Sequence, residues 1–286
     1  MALGTDNTTK AVANNFIPAL WSDEVIGSYK SNLVLANLVT KLSHKGKKGD
    51  SINIPVPNRG SASAKAANTQ VTLSAATNSV VTVSVDKHYE YSKLIEDIAE
   101  VQSLASMRKF YTDDAGYALA TQVDADLWGL ADDLGSAVVS GGTGAAGSAA
   151  AITDDGIRAM ILTLDDADVP MDNRSLVLPP VAANSLLGID RFTEQQFIGS
   201  GDAIKTGKLG AIYGIDVFVS SSAPTSGSDR IGVLLHRDAL VLAEQVGVRT
   251  QTQYKQEYLG DLFTADTIYG VQTLRDNAGV AFAVPA

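Results

Sequence analysis

From residue 80 to 91 the chain alternates. Val81, Val83, Val85, Tyr89 and Tyr91 fall on one side of an extended strand, and Thr82, Ser84, Asp86, His88 and Glu90 on the other. A period of two is that of a strand covered on one face. The segment "SINIPVP" at 51–57 alternates in the same way, and its prolines mark it as an edge strand. Between them apolar residues almost vanish: from Asn58 to Ser79 only Val71 and Leu73 break a polar run. Two strands flanking some twenty polar residues predict a long hairpin whose legs reach roughly 40 Å at about 3.3 Å per residue. Such a ribbon has little apolar surface to rest on its own domain, so it is either a loose surface loop or lies on another molecule.

The pattern then changes period. Leu104, Met107, Tyr111, Ala115, Leu119, Val123, Leu127, Leu130 and Leu134 recur at steps of three and four. They predict a helix over 103–134, capped by Ser103, ended by Gly135 and roughly 46 Å long. The Gly/Ser/Ala run that follows is a linker. After it, Thr153 caps a helix with Ile157, Met160, Ile161 and Leu164 inward, ending before Pro170. "RSLVLPP" reads as a buried strand leading into a helix, and "GIDVFVSS" and "IGVLLHRDALVLAEQ" as further strands. "VRTQTQYK" alternates, and "TIYGVQTLRDNAGVAFAV" predicts a hairpin about Asp276–Gly279. Upstream, residues 15–42 carry short helical patches, Leu33, Val34, Leu38 and Leu42 among them, behind a polar start with the character of an arm. The result is an α+β chain in which one subdomain is left and later rejoined.

Composition narrows the function. With 286 residues, 45% of them hydrophobic, the chain has a substantial core. The net charge of −10 argues against sequence-specific nucleic-acid binding, which needs a basic surface to displace phosphate counterions. There is no cysteine, and the three histidines, His44, His88 and His236, are scattered, so no metal site or cofactor is expected. The N-terminus lacks a signal-peptide pattern, and no apolar run approaches the roughly 20 residues that span a bilayer. A literal G-x-G-x-x-G at Gly142, Gly144 and Gly147 follows a helix instead of a buried strand, which is the wrong setting for a dinucleotide site. The carboxylate clusters Asp113/Asp114, Asp132/Asp133, Asp154/Asp155 and Asp165/Asp166/Asp168 sit at helix surfaces and starts, as solvated faces do. No catalytic motif is present, and the chain is not expected to be an enzyme. Against this acidic background, positive charge gathers on the hairpin and its base: Lys45, Lys47, Lys48, Arg59 and Lys65.

The order of elements resembles the major capsid proteins of tailed bacteriophages, with the Hong Kong 97-like fold. The residues that carry the resemblance are "VDKHYEYSKLIEDIAEVQS" leading into "YTDDAGYALATQVDADLWG", then "LDDADVPMDNRSLVLPP", "KTGKLGAIYGIDVFVSSSAP" and "YGVQTLRDNAGVAF". By that resemblance, residues 1–42 are an N-terminal arm and 43–80 an extended E-loop. Residues 81–149 and 248–286 form a peripheral domain built on the spine helix, and 150–247 a compact α/β axial domain. The implied function is a shell of hexamers and pentamers of one chain, part of a virion, assembled in the cytoplasm of a bacterial host and enclosing double-stranded DNA without reading its sequence.

The resemblance implies partners as well: separate scaffolding, portal and decoration proteins, with scaffolding separate because no further helical region precedes the arm. The five basic residues become contacts of the E-loop with an acidic neighbour. Some members of the family join subunits covalently between an E-loop lysine and a peripheral asparagine, and Lys65 and Asn277 are the nearest candidates here. "DNAG" is equally a good turn sequence with no such role. Three rival readings stand beside the capsid: an encapsulin-type compartment storing cargo enzymes, which shares the fold; an exported surface-layer or adhesin-like protein; and a nucleotide-dependent enzyme built on the glycine-rich segment.

Overall fold

The structure, a computed structural model, describes residues 33–45, 49–57, 62–71, 73, 78–97, 107–136, 149–189 and 210–286. The expected arm before residue 33, the G-x-G-x-x-G segment, and Lys47, Lys48 and Arg59 lie outside these residues.

Two sheets and one ribbon organise the chain. The four-stranded sheet has the order β1 (Thr40–Ser43), β11 (Leu240–Lys255), β12 (Gly260–Thr273), β4 (Lys87–Glu96). The seven-stranded sheet runs β5 (Gly135–Ser136), β13 (Gly279–Pro285), β10 (Asp229–His236), β6 (Arg174–Leu178), β8 (Ile215–Val219), β7 (Ala211–Ile212), with β9 (Thr225–Ser226) paired to β10. The ribbon pairs β2 (Ser51–Pro57) with β3 (Asn78–Ser84), antiparallel, from Ser51 opposite Ser84 to Pro57 opposite Asn78. It forms the base of the hairpin that the polar run predicts.

Helix α1 (Met107–Trp128) holds the larger core together. Ala115, Leu119, Val123 and Leu127 are buried as their spacing requires, against Phe263 and Ala265 of the four-stranded sheet and Val177, Val233 and Leu235 of the seven-stranded one. On the other face of the larger sheet, Leu176, Leu178, Leu234 and Phe282 pack under α2 (Asp154–Asp166) and α3 (Pro180–Leu187). Strand β6 is therefore buried at every residue, which is why it reads as a continuous apolar run. Thr153 caps α2 as expected, accepting from the Gly156 N–H at 3.2 Å.

Four expectations are corrected. The helix expected over 103–134 ends at Trp128, giving about 33 Å at 1.5 Å per residue. Gly129, and the acidic pair Asp132/Asp133 where the helix dipole favours cations, end it, and Leu134 reaches the core through a 3-10 turn at Ala131–Asp133. The single strand expected over 80–91 is broken at Val85–Asp86, where the chain passes from ribbon to sheet. Leu42 lies in β1 and not in a helical patch. The hairpin expected about Asp276–Gly279 does not form, because β12 and β13 belong to different sheets.

That last crossing is one of a pair. At Arg237–Ala239 the chain moves from β10 to β11, and at Leu274–Ala278 from β12 to β13; Leu274 N–H and Arg275 N–H both donate to Ala239 O, at 2.8 and 3.1 Å. Residue 247, the expected domain boundary, lies within β11, and the chain passes between the two sheets at these crossings.

Candidate functional site

The distinctive feature among the described residues is a projecting ribbon and the means by which the body holds it. At its base, Val83 and Val85 are buried with Val241 and Ala243, and Leu42, Ile52, Ile54 and Ile268 pack against them. Val85 N–H donates to Asp50 O at 2.7 Å. Among the described residues beyond Pro57 and Asn78, none belongs to this cluster. Every described residue from 62 to 71, and Leu73, is exposed, Val71 by 64% and Leu73 by 91%. Local order there is a single turn, in which Thr69 Oγ1 donates to Ala66 O at 2.7 Å beside Asn68 at φ 61°. Apolar side chains are thus presented on a segment that its own chain does not cover.

The predicted contact residues separate. Lys65 lies in the exposed distal stretch, whereas Lys45 lies at the base, 3.9 Å from Glu244 of its own chain. That pair is loose and solvated, and contributes little. Asn277 is exposed in the 3-10 turn between β12 and β13, its N–H donating to Asp276 Oδ1 at 2.8 Å. The described contacts do not bring Lys65 and Asn277 together.

Two polar devices escape the sequence reading. Asp124 of α1, 1% exposed, accepts the N–H of Val34 at 2.9 Å and of Ala36 at 3.0 Å. It fastens the 3-10 turn Leu35–Asn37 to the helix, and thereby fixes where the N-terminal segment meets the body. Burial pushes the Asp124 carboxyl above its ordinary value, while the N–H groups of Val34, Ala36 and Leu35 and the charge of Lys41 pull the other way. The signal was its position: Ala120, Asp124 and Trp128, four apart, are all buried.

The second device is on the sheet face that bears the ribbon. Arg249 forks onto Asp266, Nε to Oδ1 at 2.7 Å and Nη2 to Oδ2 at 2.7 Å, and His88 Nε2 lies 2.9 Å from Oδ2. The Arg249 guanidinium holds the Asp266 carboxyl below its ordinary value; burial opposes it and His88 assists. The pair stitches β11 to β12 just past two register shifts, at Glu244/Val246 and Val246/Arg249. One carboxylate expected to be merely solvated is also a tie: Asp165 pairs with the buried Arg174 at 2.7 Å, whose Nη2 also donates to Val169 O at 2.6 Å.

This arrangement fastens and presents segments of the chain. Among the described residues no group of three or more His, Asp or Glu is placed to hold a metal ion, and no described helix is long and apolar enough to cross a membrane.

Known proteins agree with the architecture. A family model described as phage capsid protein matches residues 94–284. The solved structure of Mycobacterium phage Che8 is similar at 24% identity and a TM-score of 0.74, over 87% of this chain and 90% of that one. The capsid structure of cyanophage P-SCSP1u gives 17% and 0.72, over 89% and 88%. The mature capsid of bacteriophage PhiM1 gives 15% and 0.68, over 89% and 87%. A sequence comparison with curated proteins gives no match.

Proposed function

The chain belongs to the phage capsid protein family, with the Hong Kong 97-like fold, and from that premise we propose how it assembles. It is a structural shell protein and a component of the virion. Many copies close into an icosahedral shell of hexamers and pentamers around double-stranded DNA, in the cytoplasm of the bacterial host. Scaffolding, portal and decoration proteins are separate chains in this reading. The family match favours this shell over the encapsulin alternative.

The observation that carries the proposal is the ribbon, firmly seated at its base and exposed along its described distal stretch. Leu73 and Val71 stand in water on the isolated subunit, and covering them on a neighbour returns roughly 25 cal/mol per Å² of apolar surface. Lys65 adds charge complementary to an acidic subunit, which sets partner and register more than affinity. In this reading 1–42 is the arm and 43–80 the E-loop. The peripheral domain is the four-stranded sheet with α1, and the axial domain the seven-stranded sheet with α2 and α3. A covalent link between Lys65 and Asn277 of neighbouring copies is the finer part of the proposal. A denaturing gel of mature particles would show a ladder if it forms, and monomer alone would remove it.

Electron microscopy of the purified full-length chain, with and without a scaffolding partner, tests the assembly. Closed shells are expected. A strictly monomeric species at micromolar concentration in both conditions would overturn it.

A further inference from the structure

Between Ser84 and Lys87 the chain leaves one sheet and enters another. Ser84 closes the ribbon opposite Ser51, and Lys87 opens β4 opposite Tyr269. The passage crosses β12 at Gly270. A Cβ there would overlap the carbonyl oxygen of Ser84, and would stand 2.9 Å from its carbonyl carbon and 3.0 Å from the Cα of Val85. Carbon atoms rest about 3.5–4.0 Å apart, so a side chain would force the two backbones apart by roughly 0.5–1 Å or more. Gly270 is not among the residues with positive φ. Its glycine answers to the close approach of a second backbone, not to a turn.

The position of this contact gives it leverage. The ribbon continues from Ser84 to Asn78, about 20 Å at 3.3 Å per residue, and its base rests on the cluster of Val83, Val85, Ile52 and Ile54 with Val241, Ala243, Ile268 and Leu42, beside a hydrogen bond from Gln245 Nε2 to Gly49 O at 3.1 Å. Side chains in such a cluster can adjust to one another. A backbone resting on a backbone cannot.

We propose that the crossing of Ser84–Val85 over Gly270 is a fixed pivot that sets the direction in which the ribbon leaves the body, and so the angle at which one copy meets a second copy of this chain. The consequence for assembly rests on the shell reading above; the pivot itself does not.

The absence of cysteine makes the direction measurable. With spin labels on Ser79→Cys and Gln251→Cys, both at exposed positions, pulsed electron paramagnetic resonance on the full-length chain reads the distance from ribbon to sheet. Gly270→Ala is expected to shift that distance by about 2 Å or more, as a base displacement carried along the strand. Gly260→Ala is the control. Its Cβ would meet Ile95 O at 2.5 Å inside the sheet, so it should lower thermal stability and leave the distance alone. A folded Gly270→Ala chain with an unchanged distance overturns the pivot.

Should Gly270→Ala fail to fold, Val83→Ala decides. It thins the cluster and leaves the crossing intact, so the mean distance should hold while the distribution broadens; a shifted mean would show that side-chain packing sets the direction. Electron microscopy then addresses assembly separately. Shells of altered diameter, or open sheets, are expected from Gly270→Ala. Normal shells from a chain whose ribbon has moved would overturn the assembly consequence alone.

Discussion

Strand β6 and the ribbon strands β2 and β3 are all short and rich in β-branched or aliphatic residues, yet they end in opposite environments. All five residues of β6 are buried between α1 on one side and α2 and α3 on the other. The ribbon buries one face at its base and hands the chain on to a stretch whose described residues are all exposed. The first region is covered within one chain; the second leaves Val71 and Leu73 exposed, and in the proposed reading a neighbouring copy covers them. Stability and assembly should therefore be separable by mutation, which is the use a shell protein makes of a rigid body and a projecting loop.

The largest loss of subunit stability is expected in the closed region. Leu234→Ala empties a 1% exposed site in the seven-stranded sheet and should cost about 2–5 kcal/mol in urea unfolding. A loss below about 1 kcal/mol would mean this core is not the rigid part of the comparison. Next comes Asp124→Ala, which leaves the N–H groups of Val34 and Ala36 without their acceptor and should cost about 1–3 kcal/mol. Hydrogen exchange should show the loss concentrated at residues 33–39.

Two of the buried carboxylates, Asp124 and Asp266, should differ in sign with pH. Asp124 has a raised native pKa, so its contribution is full below the ordinary value near 3.8 and is lost as pH climbs through the raised value. Asp266 has a lowered native pKa. Its contribution is full above the same ordinary value and is lost as pH falls through the lowered one. Relative to wild type, Asp266→Asn should therefore compare worse as pH rises to the ordinary value and level off above it, whereas Asp124→Asn should compare better as pH rises beyond that value. Urea unfolding of both variants on both sides of that value checks this; slopes of the same sign would contradict it. The smallest effect on the isolated subunit is expected from Lys65→Glu, exposed in the distal stretch, within about 0.5 kcal/mol. The same change should weaken assembly at low salt and less so at high salt, as light scattering would follow.

Much of this organisation was legible in the chain. The stripe from Ala115 to Leu127, the Thr153 cap, the buried β6 and the hairpin across the polar run all follow from spacing and capping chemistry. The failures share a cause: sequence period reports which face a residue takes, not which sheet its strand joins. Val83 and Tyr89 keep the same parity although one lies in the ribbon and the other in the sheet. "DNAG" makes an acceptable turn whether the next strand folds back or crosses away, and the bond that decides it, Leu274 to Ala239, joins residues far apart in sequence. Asp124 was hidden because a carboxylate on a helix is usually solvated; here the backbone that covers it comes from residues 34–36. Of the five basic residues two are described: Lys45 meets Glu244 at the base and Lys65 lies beyond it.

The measurement closest to the central claim replaces residues 58–77 with a short Gly/Ser turn joining Pro57 to Asn78, the last pair of the ribbon. Urea unfolding of the subunit and electron microscopy of its assemblies are then read side by side. Because none of the described residues removed is buried, the subunit should keep its stability to within about 0.5 kcal/mol and fail to form closed shells. Shells of normal size and stability from the shortened chain would contradict the account, and would make the ribbon a passive surface loop.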